Sequence, residues 1–168
     1  ISAISAYTPE KIQQLHRLAE QTRVMHSPNI TIGINFLMIA AKILKNIAPH
    51  TDIEILEEHF KNKKEISGTA RTLSKALELN DEDIKTVRAG GIIGVHEVIF
   101  GVPHQTVRLK HESICREAFG NGVLFALENL PQACGFYTME DLLLPYFALS
   151  INNDEIIIKK KMAGQHIW

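Results

Sequence analysis

The sequence predicts an α/β domain, a mixed β-sheet with helices packed on it. Three observations carry this reading. Up to about residue 80, runs with helical spacing of apolar residues alternate with short extended runs. Between Ile84 and Ile114, three strand-like runs follow one another. After Phe119 the apolar residues return to helical spacing. The order is therefore βαβαβα, then βββ, then αα, which asks for helices on one or both faces of a sheet.

Each element has its own signal. Residues 1–6 are small and apolar and read as the end of a strand. Thr8-Pro9-Glu10 opens a helix, with Thr8 as N-cap and Pro9 in the first turn, and Ile12, Leu15, Leu18 and Ala19 share its apolar face. Arg23 to His26 is extended, and Ser27-Pro28-Asn29 breaks it. From Gly33 a second helix places Ile34, Leu37, Met38, Ala41 and Leu44 on one face. Asp52 to Glu58 alternates as a strand, and His59 to Ile66 is a polar, Lys-rich loop. Ser67-Gly68-Thr69 opens a third helix carrying Ala70, Leu73, Ala76 and Leu77. Ile84–Arg88, Ile92–Phe100 and Thr106–Ile114 are the three successive strands, with turns at Gly90-Gly91 and Gly101-Val102-Pro103-His104. Phe119, Val123, Ala126, Leu127 and Leu130 mark a fourth helix, and Thr138 to Leu144 a short fifth. The tail from Ser150, with Ile156-Ile157-Ile158 before three lysines, reads as an edge strand or a loose extension.

Composition narrows the function classes. The 168 residues are 45% hydrophobic and 22% charged, as a globular domain is. A formal net charge of -1 gives no electrostatic footprint for nucleic acid or an anionic membrane. The most apolar stretch, Ile34–Leu44, falls well short of the ~18 residues that span a bilayer. The two cysteines, Cys115 and Cys134, have no CxxC spacing, which fits reduced thiols in a cytoplasmic protein. Packing is the commoner role for Cys115. His96, His104 and His111 do not form a zinc spacing, so no metal is expected.

Two segments are candidates for chemistry. His59 to Thr69 lies at the carboxyl end of a strand and runs into a helix, where open α/β sheets hold ligands. Ser67, Gly68 and Thr69 present backbone N–H groups that favour an anion such as a carboxylate, Lys63 and Lys64 add charge, and His59 exchanges protons near neutral pH. On spacing alone, a capped helix after a solvated basic loop is the commoner reading. Arg88 to His96 is glycine-rich but lacks the GxGxxG order and a following helix, so a turn between strands is favoured over a dinucleotide cradle. His96 there reads as a satisfied, buried histidine.

Taken in order, these segments resemble the dihydrodipicolinate reductase family. Glu57-Glu58-His59-Phe60-Lys61-Asn62-Lys63 followed by Ser67-Gly68-Thr69 is similar to its E-x-H-H-x-x-K and P-S-G-T. Asn29 to Asn35 resembles N-x-S-x-G-V-N, and Val87 to Gly90 with Gly94 to Phe100 resembles R-A/G-G … G-E-H-x-V-x-F. His111 to Gly122 resembles H-x-A-x-S-R-x-x-F-A-N-G, and Gly135 to Met139 the closing G-x-Y-x-M. The resemblance runs from Ile1 to about Leu144.

It implies a reductase of lysine and diaminopimelate biosynthesis, in which NADH or NADPH delivers a hydride to a cyclic dicarboxylate imine. Lys63 is then the proton donor, with His59 beside it in the proton chemistry. Ser67, Gly68 and Thr69 bind a substrate carboxylate, and Ser27 and Asn29 lie near the nicotinamide ring. A homotetramer formed through the sheet is implied. So is a division into a remnant of a nucleotide-binding domain (1–25), a catalytic and oligomerisation domain (26–149) and an extension (150–168). On this reading most of an N-terminal Rossmann domain precedes Ile1, which would account for the absent initiator Met.

The sequence also departs from the family pattern. Phe60 replaces the second His of the pair, one residue is missing between Lys63 and Ser67, and the Pro is absent, so Lys63 or Lys64 can take the donor position. Ser2 to Ser5 falls on the family's G-T-T-G, and Val95 on the Glu of G-E-H. A divergent homologue acting on another imine or amino acid, or an inactive oligomerisation module, are the alternative readings.

Overall fold

A computed structural model describes residues 1–4 and 7–151. Five helices and six strands follow in the order α1 (Pro9–Ala19), β1 (Arg23–Met25), α2 (Ile32–Ile47), β2 (Asp52–His59), α3 (Gly68–Ala76), β3 (Ile84–Arg88), β4 (Val95–Val102), β5 (Gln105–Glu112), α4 (Glu117–Asn129), β6 (Gly135–Tyr137) and α5 (Met139–Ile151). The expected mixed α/β architecture is present. The strands form two sheets, one of four strands in the order β3-β2-β4-β5 and one of two, β1-β6.

The main sheet is mixed because its connections differ. From β2 the chain crosses through α3 and returns parallel as β3, whereas β4 lies antiparallel to β2, and β5 to β4. The β4–β5 turn is Pro103-His104, with His104 at φ 62°, a left-handed corner. Alternation along β2 sends Ile53, Ile55, Glu57 and His59 inward. On that face Ile53 and Ile55 pair with Phe100 and Val98 of β4, and these with Val107 and Leu109 of β5.

Two hydrophobic clusters hold the fold. Helices α2 and α3 cover the sheet through Ile34, Leu37, Ala41, Ala70, Leu73 and Leu77 against Ile53, Ile55, Ile84, Val98 and Phe100. The opposite side of α2 contributes Ile39 to a second cluster with Met25, Ile30, Ala126, Met139, Leu142 and Leu143. This explains why α2 is the most apolar of the amphipathic helices: it is buried on two sides.

Several expectations are corrected. Residues 1–4 contain no strand, only a parallel bridge from Ser2 to His26, and Ser5 lies outside the described residues. Strand β4 starts at Val95 rather than Ile92, because residues 89–92 close a turn in which Ile92 N–H donates to the Ala89 carbonyl. Strand β5 ends at Glu112, leaving Ile114 84% exposed. The three runs, successive in the chain, are all present as strands, and β2 lies between the first two of them in the sheet. Leu18, placed on the apolar face of the first helix, is exposed, as are Phe119 and Leu127, which mark the fourth. In α4 the apolar residues ring the helix; Gly122, Val123, Phe125 and Ala126 are turned inward, as is Leu130 at the C-cap. Cys115 is exposed in the loop before α4, so it has no packing role, and Cys134 is exposed in the loop before β6. The short fifth helix extends to Ile151, and from residue 152 the tail lies outside the described residues.

Candidate active site

The inward face of β2 changes character along its length. Its first half is apolar; its last two inward residues are Glu57 and His59. Register carries the same change across the sheet. Glu57 sits opposite Thr86 on β3 and His96 on β4, His96 opposite His111 on β5, and His59 opposite Arg88. One end of the core face is therefore a row of ionisable side chains, reached by the N-terminus of α3.

Glu57 is fully buried and central to that row. One carboxylate oxygen, Oε1, pairs with Arg88 Nη2. The other, Oε2, accepts from the Ser67 backbone N–H at 3.2 Å and lies 2.9 Å from His59 Nδ1, oblique to a well-directed hydrogen bond. Burial alone would raise the Glu57 pKa, but the hydrogen bonds from Arg88 and Ser67 and the nearby positive charges outweigh it and hold the carboxyl below its ordinary range. His59 is lowered, first by burial and also by Lys63 and Arg88, with Glu57 offsetting part of the effect. His59 is consequently neutral at pH 7.

Ser67 caps α3 as its sequence predicts, its Oγ accepting from Ala70 N–H at 3.0 Å. The same hydroxyl lies 2.9 Å from His96 Nε2. His96 is the satisfied, buried histidine expected, and burial with neighbouring charges lowers it to about 4. Gly94 backs the His59 ring; a Cβ there would lie 3.2 Å from Nε2.

The Lys-rich loop is tied down at its backbone. Arg88 Nε donates to the Lys63 carbonyl at 2.9 Å, and Arg88 Nη2 to the Glu65 carbonyl at 3.1 Å. Lys61 N–H donates to the Gly90 carbonyl at 3.1 Å, and Gly90 takes φ 49°. The glycine segment is thus the expected turn, and it buttresses the loop. Lys63 is half-buried and its charge is felt by both His59 and His96, while Lys64 is exposed.

The fold brings His59, Lys63, Ser67, Gly68 and Thr69 together at the end of β2. It brings Asn29 to them as well: its Nδ2 donates to Thr69 Oγ1 at 3.2 Å, and Ser27 Oγ donates to the Asn29 carbonyl at 2.5 Å. Ser27, Asn29 and Thr69 line a cleft of about 200 Å³ shared with His26, Met38 and Thr138. Glu57, His59 and His96 also bring three ligand atoms within 4.8 Å of one another, but both Glu57 oxygens are engaged and the cations Arg88 and Lys63 stand close, which disfavours a metal ion. Sequence reasoning assigns no role to Glu57 or Arg88; the alternation Ile53, Ile55, Glu57 is the signal that could have found Glu57, and it continues to His59, which is the last residue of β2 and not the first of the loop.

The family model for the C-terminus of dihydrodipicolinate reductase matches residues 30–143. The chain is 31% identical to the 4-hydroxy-tetrahydrodipicolinate reductase of Caldanaerobacter subterraneus subsp. tengcongensis, over 84% of its own length and 66% of the relative's. It is 34% identical to the enzyme of that name from Thermosipho africanus, over 85% and 66%. The solved dipicolinate-bound dihydrodipicolinate reductase of Paenisporosarcina sp. TG-14 superposes with a TM-score of 0.67 at 26% identity, over 79% of this chain and 59% of that one. The chain spans just under two thirds of the length of the curated relatives it matches. With the family model covering well over half of its residues, the chain belongs to the dihydrodipicolinate reductase family and carries that family's C-terminal domain.

Proposed function

We propose that this chain is the substrate-binding and catalytic part of an NAD(P)H-dependent reductase acting on 4-hydroxy-tetrahydrodipicolinate, a cyclic dicarboxylate imine precursor in lysine and diaminopimelate biosynthesis. The observation that carries the reading is the meeting of His59, Lys63 and the start of α3 at the end of β2. The relatives' names support the reaction and the substrate.

The chain's residues divide the work. The backbone N–H groups of Gly68 and Thr69, beside the Ser67 cap, favour a substrate carboxylate. When bound, the nicotinamide supplies a hydride. Hydride addition to the unsaturated dicarboxylate ring leaves a negative charge that a proton must neutralise, and the Lys63 ammonium gives it; the half-buried position of Lys63 near His59 supports it over exposed Lys64. Neutral His59 passes protons beside it. The cleft of about 200 Å³ bordered by Ser27 and Asn29 fits a single planar ring, below the ~300–1,000 Å³ usual for a whole drug-sized ligand. The rest of the dinucleotide is then held by the nucleotide-binding half, of which residues 1–25 are the end, while residues 26–149 form the catalytic and oligomerisation unit. The outer face of the sheet, with half-buried Ile99 and Leu56 set among charges such as the Glu97–Arg108 pair, is the surface through which a homotetramer assembles.

In the complete protein, Lys63→Ala lowers turnover by roughly 10²–10⁴-fold, the usual worth of a general acid, and Lys64→Ala leaves it near wild type. Loss in Lys64→Ala alone would move the donor by one residue, and full turnover in both would refute the mechanism. Titration with pyridine-2,6-dicarboxylate in the presence of cofactor separates a reductase from an inactive module, which does not bind it.

A further inference from the structure

We infer that Glu57 and Arg88 are positioning residues: together they form one brace that fixes the His59 ring and the Lys63 loop against the start of α3. The inference rests on the reading of His59 and Lys63 as the proton-handling pair, and it assigns neither Glu57 nor Arg88 a contact with substrate.

The brace has four attachment points. Through Arg88 it holds the Lys63 carbonyl at 2.9 Å and the Glu65 carbonyl at 3.1 Å. Through Glu57 it holds the Ser67 N–H at 3.2 Å and faces His59 Nδ1 at 2.9 Å. The carboxylate–guanidinium pair between them joins the two halves. No other side chain among the described residues is bonded to both sides of the 60–66 loop in this way. A planar guanidinium can serve a carboxylate and two carbonyls at once, which a lysine ammonium on a flexible stem does less rigidly. The distribution of burial fits a brace: the Glu57 side chain is fully buried and that of Arg88 is 18% exposed, at the edge of the site.

The carboxylate also sets which nitrogen of His59 carries the proton. An anion beside Nδ1 favours the neutral tautomer protonated there and leaves Nε2, which faces Gly94, as the nitrogen that exchanges protons. The charged and titratable groups facing this imidazole are Glu57 on β2, Lys63 in the loop, Arg88 at the end of β3 and His96 on β4, with His111 on β5 beyond His96. Of these, Glu57 favours the protonated ring and Arg88 and Lys63 oppose it. The two ends of the brace therefore act on His59 with opposite sign.

The test reads His59 itself, by nitrogen-resolved NMR titration of this chain. In the wild type the neutral ring is protonated at Nδ1. Glu57→Gln weakens that tautomer preference and moves the His59 midpoint to lower pH, whereas Arg88→Met moves it to higher pH. If Glu57→Gln does not fold, as judged by circular dichroism, the Arg88→Met shift carries the test. Unchanged tautomer and midpoint in the variants that fold overturn the inference. In the complete enzyme, Arg88→Lys lowers kcat about 10–100-fold with the KM for the nicotinamide cofactor unchanged. Full kcat in Arg88→Lys alongside an inactive Lys63→Ala would sink the brace and leave the proposed function standing. A His59 that responds as stated in a protein unable to reduce the substrate would do the reverse.

Discussion

The side-chain amide of Asn29 donates to the hydroxyl of Thr69 across 3.2 Å, joining two residues 40 positions apart in the chain. Asn29 is fixed at its other end, where Oδ1 accepts from both the N–H and the hydroxyl of Thr31 at 3.0 Å. Its carbonyl accepts from Asn35 Nδ2 at 2.7 Å. The segment leading into α2 is thereby pinned to the first turn of α3, and the proposed nicotinamide side of the cleft to the proposed carboxylate side.

Removing the acceptor tests that link. Thr69→Val keeps the volume and strands one donor of Asn29 in a part-buried place. The expected stability loss is about 1 kcal/mol by urea denaturation, the usual net worth of a neutral hydrogen bond. In the complete enzyme the KM for the dicarboxylate rises more than kcat falls, because Thr69 helps bind substrate in the proposed function. A fall in kcat with KM unchanged would count against that role.

Gly122 shows a second close approach. A Cβ at this position on α4 would lie 1.9 Å from the carbonyl oxygen of Ile30, a backbone atom that cannot swing aside. Gly122→Ala therefore pushes α4 away from the segment preceding α2 and opens the cluster that holds Ile30 and Ala126. The destabilisation expected is about 1–3 kcal/mol, typical of overpacking. Gly120→Ala serves as the control, since a Cβ there meets nothing within 4 Å.

What could be read from sequence follows the range of the forces involved. The N-caps Thr8 and Ser67 act within one turn, so Thr8-Pro9 and Ser67-Gly68 located α1 and α3 correctly. The alternation of β2 is local too, and it marks Asp52 to Glu58 as a strand; His59, read as the start of the loop, is the last residue of that strand and shares the face of Ile53, Ile55 and Glu57. Strand β6 has three residues, too few to show a period, and its pairing with β1 brings together residues more than a hundred positions apart. The insertion of β2 between β3 and β4 is likewise a long-range choice. Arg88 is legible as a charge at the end of a strand; that it reaches Glu57 and two loop carbonyls depends on a register no local pattern encodes.

Phe60 is 45% exposed directly after His59, where the family pattern carries a second histidine. An exposed aromatic ring at that point offers the substrate no hydrogen bond. Phe60→His in the complete enzyme is expected to lower the KM for the dicarboxylate severalfold while stability stays within about 0.5 kcal/mol, as for most surface replacements. An unchanged KM would place the side chain at residue 60 away from the substrate.

Acid sensitivity is the last prediction, and its direction follows from His96. Burial, aided by the charges of His59, His111 and Lys63, lowers His96 from 6.5 to about 4. Between those values the unfolded chain binds a proton that the folded chain refuses. Stability is therefore full above pH 6.5, falls as pH drops toward 4, and loses no more from this group below that. At 1.36 kcal/mol per unit, the loss is on the order of 3 kcal/mol. His26, His59 and His111, each lowered chiefly by burial, act in the same direction. Glu57 adds a later loss, because its folded value lies below its unfolded one and its pairing fails only as pH falls through the folded value. Urea titrations at intervals from pH 7.5 to 4 should thus show stability declining steadily, with a shallower slope in His96→Gln than in the wild type. A wild-type slope unchanged by that substitution would mean that His96 takes up its proton in the folded state as readily as in water.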